Sequence, residues 1–178
     1  MAGLMRQTGG MESSHGADGP SIELKAKVLT ASDGVIAGTR EDRSGDALAA
    51  RLAEAGWDVV ERRQIADGIE SVRDTLIELA DGFCGLIVTT GGTGFGPRDL
   101  TPEGTREAIE REAPGLAEAM RLCNDAGLGR LSRAIAGTRG QALILNTPGS
   151  TKGTVETVEA VLDVLPHAIV LMAGERPH

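Results

Sequence analysis

Apolar residues fall into short blocks along the chain, and the spacing within each block predicts a strand or a helix. The nearly continuous apolar run at residues 26–31 predicts a buried strand. Leu48 and Leu52 follow at a spacing of four, which places both side chains on one helix face. We expect this helix to have Ser44 as its N-cap and to end at Gly56, since serine favours helix starts and glycine favours helix ends.

The same order of strand and helix continues through the middle of the chain. Residues 57–65 contain several β-branched side chains and predict a second strand, and residues 86–89 predict a third. Asp67 and Gly68 predict a turn after the second strand. Between these two strands, apolar side chains at helical spacing predict a helix that ends near residues 81–82; they are Ile69, Val72, Leu76 and Leu79.

The C-terminal half contains further helix and strand signals. Thr101, Pro102 and Glu103 predict a helix with Thr101 as its N-cap, proline at its first position and an acid in its first turn. Residues 124–140 are rich in glycine and show no clear period. Other signals predict a helix from Pro114, a strand at 142–145, a turn at 146–150, and one long last helix through Val155, Val158, Leu162 and Leu165.

Strands that alternate with helices in this way predict an α/β fold of three layers, in which a mostly parallel sheet carries helices on both faces. Residues 1–20 are polar and aperiodic, so we expect a flexible tail, and residues 21–178 are expected to form a single domain. Ligands of such sheets bind beyond the carboxyl ends of the strands. Four loops are therefore expected at one edge, namely residues 32–43, 66–68, 91–100 and 146–152.

Charge and cysteine content narrow the classes of function. The formal net charge of -8 and the pI near 4.9 disfavour a general nucleic-acid surface, so we expect no nucleic-acid partner. No segment has the length and hydropathy of a membrane span, so we expect no membrane partner. Cys84 and Cys123 are far apart in apolar surroundings, which favours a reducing compartment, with the cytoplasm as the expected location.

The hexapeptide at residues 91–96, which we call the glycine loop, contains four glycines directly after the third predicted strand. Glycines permit positive φ and close approach of a ligand, and consecutive N–H groups can bind a phosphate. A tight connection from strand to helix would require the same residues. The two familiar nucleotide loops are excluded, because no Gly-Lys-Ser/Thr follows and Pro97 stands where a dinucleotide-binding loop requires glycine or alanine.

Two aspartates are expected at the same edge of the sheet as this loop. The carboxylates of Asp67 and Asp99 could share a magnesium ion, which takes oxygen ligands. Each also has a purely structural interpretation, with Asp67 as a turn or cap residue and Asp99 as the partner of Arg98 or of local N–H groups. Lys152 could contact a phosphate or remain solvated. The histidines lie outside these loops, so no histidine-based catalysis is expected.

Four separated motifs together are more specific than the glycine loop alone. They occur across residues 25–171 as Ser32-Asp33 with Ser44-Gly45, then Thr89-Thr90-Gly91-Gly92-Thr93-Gly94 with Arg98-Asp99 and Thr101-Pro102, then Leu131-Ser132-Arg133, and then Asn146-Thr147-Pro148-Gly149-Ser150. In this order they resemble the MoaB/Mog family of molybdenum cofactor biosynthesis proteins.

The resemblance implies a molybdopterin-binding α/β domain that is a homotrimer or a dimer of trimers. Catalytic members of the family use Mg²⁺ and ATP to adenylylate molybdopterin, and the product passes to a molybdate-inserting protein. The resemblance also implies that Asp67 and Asp99 are catalytic and bind the magnesium ion. Lys152 is a predicted phosphate contact, and the other substrate-binding residues implied are Ser32, Asp33, Thr90, Gly91, Gly92, Thr93, Gly94, Ser132, Pro148, Gly149 and Ser150.

A second function is compatible with the same motifs. Some branches of the family hold the pterin without adenylylating it, and such a protein would be a binding or scaffold protein. Magnesium-dependent turnover of ATP separates these two alternatives.

Overall fold

The structure is a computed structural model that describes residues 22–123 and 127–174. The strands are β1 (Lys25–Ala31), β2 (Asp58–Ile65), β3 (Gly85–Thr90), β4 (Arg111–Glu112), β5 (Ala136–Arg139) and β6 (Ala142–Thr147). The helices are α1 (Asp33–Ile36), α2 (Arg43–Glu54), α3 (Ile69–Ala80), α4 (Thr101–Ala108), α5 (Pro114–Leu122), α6 (Thr151–Glu159) and α7 (Leu165–Met172), with a 3-10 helix at Leu128–Leu131.

The six strands form one sheet in the order β2-β1-β3-β6-β5-β4. The first four strands in this order are parallel to one another, whereas β5 pairs with β6, and β4 with β5, in antiparallel orientation. The α/β fold with a mostly parallel sheet is therefore confirmed. All six residues of β3 and of β6 are buried, as expected for central strands covered on both faces.

Two apolar clusters lie on opposite faces of the sheet, because successive side chains of a strand point to opposite sides. Leu86 and Val88 of β3 belong to one cluster, and Ile87 belongs to the other. Buried residues of α2, α5, α6 and α7 join the first cluster, whereas those of α3 and α4 join the second. The expectation of helices on both faces is thus confirmed.

The start of α2 differs from the sequence prediction. Its N-cap is Asp42, two residues before Ser44, and Asp42 Oδ1 accepts a hydrogen bond from the Gly45 N–H at 3.0 Å. Asp42 Oδ2 also accepts from Thr30 Oγ1 at 2.9 Å, so a contact with β1 accompanies the cap. The prediction of Ser44 as the cap was wrong because this tertiary contact cannot be identified from the local sequence.

Two further boundaries were predicted wrongly. Thr101 is the first residue of α4, and the N-cap position belongs to Leu100, which makes no side-chain cap bond. Strand β6 continues through Thr147 instead of turning at Asn146, since Asn146 and Thr147 pair with Thr89 and Thr90 of β3.

The long last helix is interrupted between α6 and α7. The interruption lies directly before α7, which has a proline, Pro166, in its first turn. Proline has no N–H group to donate to the carbonyl four residues earlier, at Leu162, and its ring clashes with that carbonyl in a continuous helix. The predicted single helix is therefore two helices.

Some predictions fall partly or wholly outside the described residues. The proposed tail at residues 1–20 lies outside them, and the assignment of residues 21–178 to one domain stays a prediction. Cys84 and Cys123 form no disulfide. Within the described ranges, no helix has the length and hydropathy that would let it cross a bilayer.

The Asp42 contacts yield a direct test of the α2 boundary. We predict that Asp42→Ala lowers the free energy of unfolding by about 2 kcal/mol, because it removes the helix cap and leaves the Thr30 hydroxyl without an acceptor. Ser44→Ala is the matched control, and we expect a much smaller change. Urea unfolding followed by circular dichroism measures both values, and an equal or larger loss in Ser44→Ala would contradict this cap assignment.

Candidate functional site

An open cleft of about 1050 Å³ lies at the carboxyl ends of β1, β3 and β6. The loops that follow these parallel strands form its floor, as the fold predicts for a ligand site. The lining includes most of the residues predicted for the site, namely Ser32, Asp67, Thr90, Gly91, Gly92, Thr93, Gly94, Asp99, Ser132, Pro148, Gly149, Ser150 and Lys152. Asp33 is not among the lining residues, and its carboxylate faces Arg98 instead.

The glycine loop has the positive φ values that were expected, and its close backbone approach is to β1. Gly91 and Gly92 have φ values of 99° and 63°, in the region that disfavours other residues. A Cβ at Gly91 would collide with the carbonyl oxygen of Ala31, so only glycine lets the loop pass this close to β1. The path of the loop beside β1 therefore requires glycine at position 91.

Arg133 fixes the glycine loop through hydrogen bonds to its carbonyl groups. Its backbone N–H donates to the Thr93 carbonyl at 2.9 Å, and its Nε donates to the Gly94 carbonyl at 2.6 Å. The same guanidinium donates to the Asp99 carbonyl and to the Glu103 carboxylate. The segment that showed no clear period in the sequence therefore supplies the residue that fixes the loop geometry.

Asp33 and Asp67 join the loops that leave β1 and β2. The Asp33 N–H donates to Asp67 Oδ2 at 2.9 Å, and the Asp67 N–H donates to Asp33 Oδ1 at 3.0 Å. Arg98 adds a third loop, because its Nε and Nη2 donate to the two Asp33 oxygens at 2.9 and 3.1 Å. Arg98 also donates to the Asp67 carbonyl. We call these three residues the Arg98 network.

The network gives its two carboxylates different ionisation behaviour. The hydrogen bond from Arg98 lowers the pKa of Asp33, and the Asp67 N–H lowers it further. Partial burial raises the pKa of Asp67, and the neighbouring charges of Asp33 and Asp99 add to this rise. The Asp33 N–H and the Arg98 charge act on Asp67 in the opposite direction. The ionised form of Asp67 would therefore gain from a further nearby cation.

Asp99 takes a local backbone contact, as one of its two sequence interpretations expected. Its Oδ2 accepts from the Gly96 N–H at 2.8 Å, whereas Arg98 bonds to Asp33 and not to Asp99. A Cβ at Gly94 would lie 2.9 Å from Asp99 Oδ2, and one at Gly92 would lie 3.1 Å from Asp67 Oδ1. Both carboxylates are thus next to the glycine loop, where missing side chains leave them open to the cleft.

The donor set at this position fits a hard divalent cation such as Mg²⁺. Asp67 and Asp99 supply carboxylate oxygens, and the buried Thr101 Oγ1 beside Gly92 forms no hydrogen bond with the residues that the structure describes. Over residues 22–123 and 127–174, no group of three or more histidine, cysteine, aspartate or glutamate side chains is arranged to hold a metal. Two carboxylates are nevertheless sufficient for Mg²⁺, which usually keeps several waters and binds substrate phosphates.

The other wall of the cleft is formed by the start of α6. Ser150 is the N-cap, and its Oγ accepts from the Gly153 N–H at 3.2 Å. The Thr90 hydroxyl donates to the Pro148 carbonyl at 2.9 Å, which fixes this turn against β3. Lys152 is 84% exposed and lies 3.4 Å from Glu156. This wall therefore combines the positive end of a helix with one lysine.

Comparison with known proteins identifies the family. The model of the probable molybdopterin binding domain matches residues 27–167 of this chain. The chain belongs to the molybdopterin-binding domain family. The earlier resemblance to MoaB/Mog proteins is confirmed, and the match spans both walls of the cleft.

Relatives and solved structures of this family resemble the chain over most of its length. Molybdopterin adenylyltransferases of Helicobacter pylori J99 and Escherichia coli K12 are both 38% identical over 152 residues, or 83% of this chain and 86% and 78% of the relatives. The molybdopterin biosynthesis enzyme MoaB of Thermus thermophilus is 45% identical, with a TM-score of 0.80 over 85% of this chain and 98% of its own. The Mog protein of Mycobacterium ulcerans is 34% identical, with a TM-score of 0.79 over 87% and 100%.

Sequence reasoning missed the contacts of Arg98 and Arg133. Both arginines stand inside quoted motifs, but their partners lie 65 and 39 residues away, at Asp33 and Gly94. The one available signal for Arg98 was its position directly after the glycine loop, and that signal pointed to Asp99 as its partner. The structure assigns the partnership to Asp33.

The Arg98 network predicts a measurable order of pKa values in metal-free buffer. We expect Asp67 to titrate above, and Asp33 below, the ordinary aspartate value. Arg98→Ala should raise the pKa of both, because it removes a positive charge that stabilises both carboxylates. Carboxyl carbon NMR measures the titrations, and Arg106→Ala, which removes an exposed arginine paired with Glu112, is the control. Unchanged titrations of Asp33 and Asp67 in Arg98→Ala would contradict the network.

Proposed function

We propose that this chain is a molybdopterin adenylyltransferase, which transfers the adenylyl group of ATP to molybdopterin. The observation that carries the proposal is the presence of Asp67 and Asp99 on one glycine-lined cleft. The family match and the names of the adenylyltransferase relatives support it. An acidic protein can bind these anionic substrates because the favourable charges are local.

The reaction requires two phosphate-bearing substrates to meet in line. The terminal phosphate oxygen of molybdopterin attacks the α-phosphorus of ATP, and a new P–O bond forms there. The bond from the α-phosphorus to the bridging oxygen breaks, and pyrophosphate leaves with that electron pair. Such a transfer depends on positioning and on charge neutralisation more than on covalent participation by the protein.

The cleft residues have distinct roles in this proposal. The loop Gly91–Gly94 lets its backbone approach a phosphate, and the start of α6 at Ser150 directs N–H groups toward an anion. Asp67 and Asp99 would hold Mg²⁺, which when bound neutralises phosphate charge. Arg98 donates to the Asp67 carbonyl, and Arg133 donates to the carbonyls of Asp99 and Gly94, so the two arginines fix the backbone that carries both carboxylates.

The remaining features of the proposal come from the family resemblance. We expect Ser32, Thr90, Thr93, Ser132, Pro148, Gly149 and Lys152 to contact the pterin, its phosphate or ATP, with Asp33 acting from beside the cleft. The protein is expected to assemble as a homotrimer or a dimer of trimers in the cytoplasm. Its product would then be handed to a protein that inserts molybdate.

Substitution of the two aspartates tests the enzymatic proposal. Protein incubated with molybdopterin, Mg²⁺ and ATP labelled at the α-phosphate should form labelled adenylyl-molybdopterin. We predict that Asp67→Asn and Asp99→Asn each lower kcat by about 100-fold or more, because the transition-state charge loses its stabilising metal. Asp74→Asn is the matched control, since Asp74 is an exposed carboxylate outside this cleft that pairs with Arg73, and it should retain wild-type activity.

The same assay separates the enzyme from the scaffold alternative. A scaffold would bind molybdopterin in calorimetry yet form no labelled product while an authentic adenylyltransferase works in parallel. That result would refute the proposed activity. For the enzyme, Asp99→Asn should lose magnesium-dependent ATP binding and retain pterin binding.

A further inference from the structure

Three cationic side chains line the cleft, and two of them form ion pairs with carboxylates of described residues. Arg43 pairs with Glu41 at 2.9 Å, and Lys152 lies 3.4 Å from Glu156. Arg40 also lines the cleft, and in the described part of the chain its side chain makes no hydrogen bond or ion pair with protein groups. Its guanidinium is therefore available to a ligand in the cleft.

The loop after α1 places this side chain in a defined position. The Arg40 N–H donates to the Gly34 carbonyl at 3.0 Å, and the Thr39 N–H donates to the same carbonyl at 2.9 Å. The Thr39 hydroxyl adds a third bond to this oxygen at 3.1 Å. The backbone at Arg40 is thus anchored to α1.

Gly34 provides the space through which the Arg40 side chain passes. A Cβ at Gly34 would lie 2.9 Å from Cδ and 3.2 Å from Cγ of Arg40, so the stem lies directly against the glycine Cα. These carbons are in the middle of the side chain, and a methyl group at Gly34 would displace the whole stem. The present orientation of Arg40 consequently depends on glycine at position 34.

The remaining charge of the cleft indicates what Arg40 is suited to bind. Among the described residues, Asp67 and Asp99 are the lining carboxylates that form no ion pair, and they would repel a phosphorylated substrate in the absence of cations. An arginine presents several N–H donors in a planar group that matches the geometry of phosphate oxygens. Arg40 lines the same cleft and supplies a positive charge that forms no ion pair with either of the two described aspartates.

We propose that Arg40 is a substrate-binding residue that contacts a phosphate group in the cleft. The inference rests on the proposed function for the identity of the phosphate, which belongs either to the polyphosphate of ATP or to molybdopterin. In both cases the recognised chemistry is a phosphate dianion or polyanion bound by a guanidinium. Separate titrations of the two substrates distinguish these sources.

The test uses the full chain with three variants and one control. Arg40→Ala removes the guanidinium, Arg40→Lys keeps the charge without the planar donors, and Gly34→Ala keeps Arg40 but displaces its stem. Arg106→Ala removes an exposed arginine that does not line the cleft. Calorimetry with ATP, inorganic tripolyphosphate and molybdopterin gives dissociation constants, and steady-state kinetics give KM for each substrate.

We expect Arg40→Ala to raise the dissociation constant of one substrate by roughly ten- to a hundredfold, which is the range expected for the loss of hydrogen bonds to a charged group. Gly34→Ala should weaken binding of the same substrate. Arg40→Lys should lose less affinity for it than Arg40→Ala, and Arg106→Ala should bind it as tightly as the wild type. Loss of tripolyphosphate and ATP binding assigns the contact to ATP. Loss of molybdopterin binding alone assigns it to the pterin phosphate.

The binding measurements distinguish failure of the Arg40 inference from failure of the proposed function. If Arg40→Ala binds ATP, tripolyphosphate and molybdopterin as wild type does, Arg40 is a solvated surface residue and the inference is overturned. If wild-type protein binds these ligands but forms no adenylylated product, the proposed function fails, while the binding data still decide whether Arg40 contacts phosphate.

Discussion

Parallel pairing of β1, β2, β3 and β6 is the constraint on which the candidate site depends. Parallel neighbours bring the loops that follow them to the same edge of the sheet, whatever the separation of these loops in sequence. The strands themselves are held by apolar clusters on both faces, so the edge is a rigid support for polar loops. Residues from four distant segments can therefore face one cleft.

Two arginines convert this general geometry into a specific arrangement. Arg98 joins the loops after β1 and β2 to the segment that follows the glycine loop, and Arg133 donates hydrogen bonds to two carbonyls of the glycine loop. Both make charge-assisted hydrogen bonds, which are shorter and stronger than neutral ones. Asp67 and Asp99 are consequently held beside glycines that leave them open to the cleft. A phosphate-transferring site needs this kind of fixed placement, because little covalent chemistry is left for the protein.

Much of the fold follows from local patterns in the sequence. The alternation of apolar strands and periodic helices predicts the layers, and the polarity of parallel strands predicts that Asp67 and the glycine loop share an edge. The short strand β5 was not predicted, because its four residues include a glycine and their pairing with β6 depends on tertiary structure. The cap at Asp42 was missed for a similar reason, since Thr30 of β1 contributes to its contacts.

The candidate site was also only partly predictable. Motif order identified many of the residues that line the cleft, but it did not reveal that Arg98 pairs with Asp33 across 65 residues. Long-range ion pairs leave no periodic signal in one sequence, and an adjacent aspartate is the natural but wrong choice of partner. The availability of Arg40 depends on the pairing of neighbouring charges, which only the folded chain reveals.

The claim that Asp67 and Asp99 form one cation site against the substrate phosphates is tested most directly by crystallography with Mn²⁺ and ATP. Mn²⁺ substitutes for Mg²⁺ at oxygen sites and is visible through its anomalous scattering. We predict an anomalous peak within coordination distance of both carboxylates and of an ATP phosphate oxygen. ATP bound in the cleft with Mn²⁺ coordinated by neither aspartate would contradict the claim.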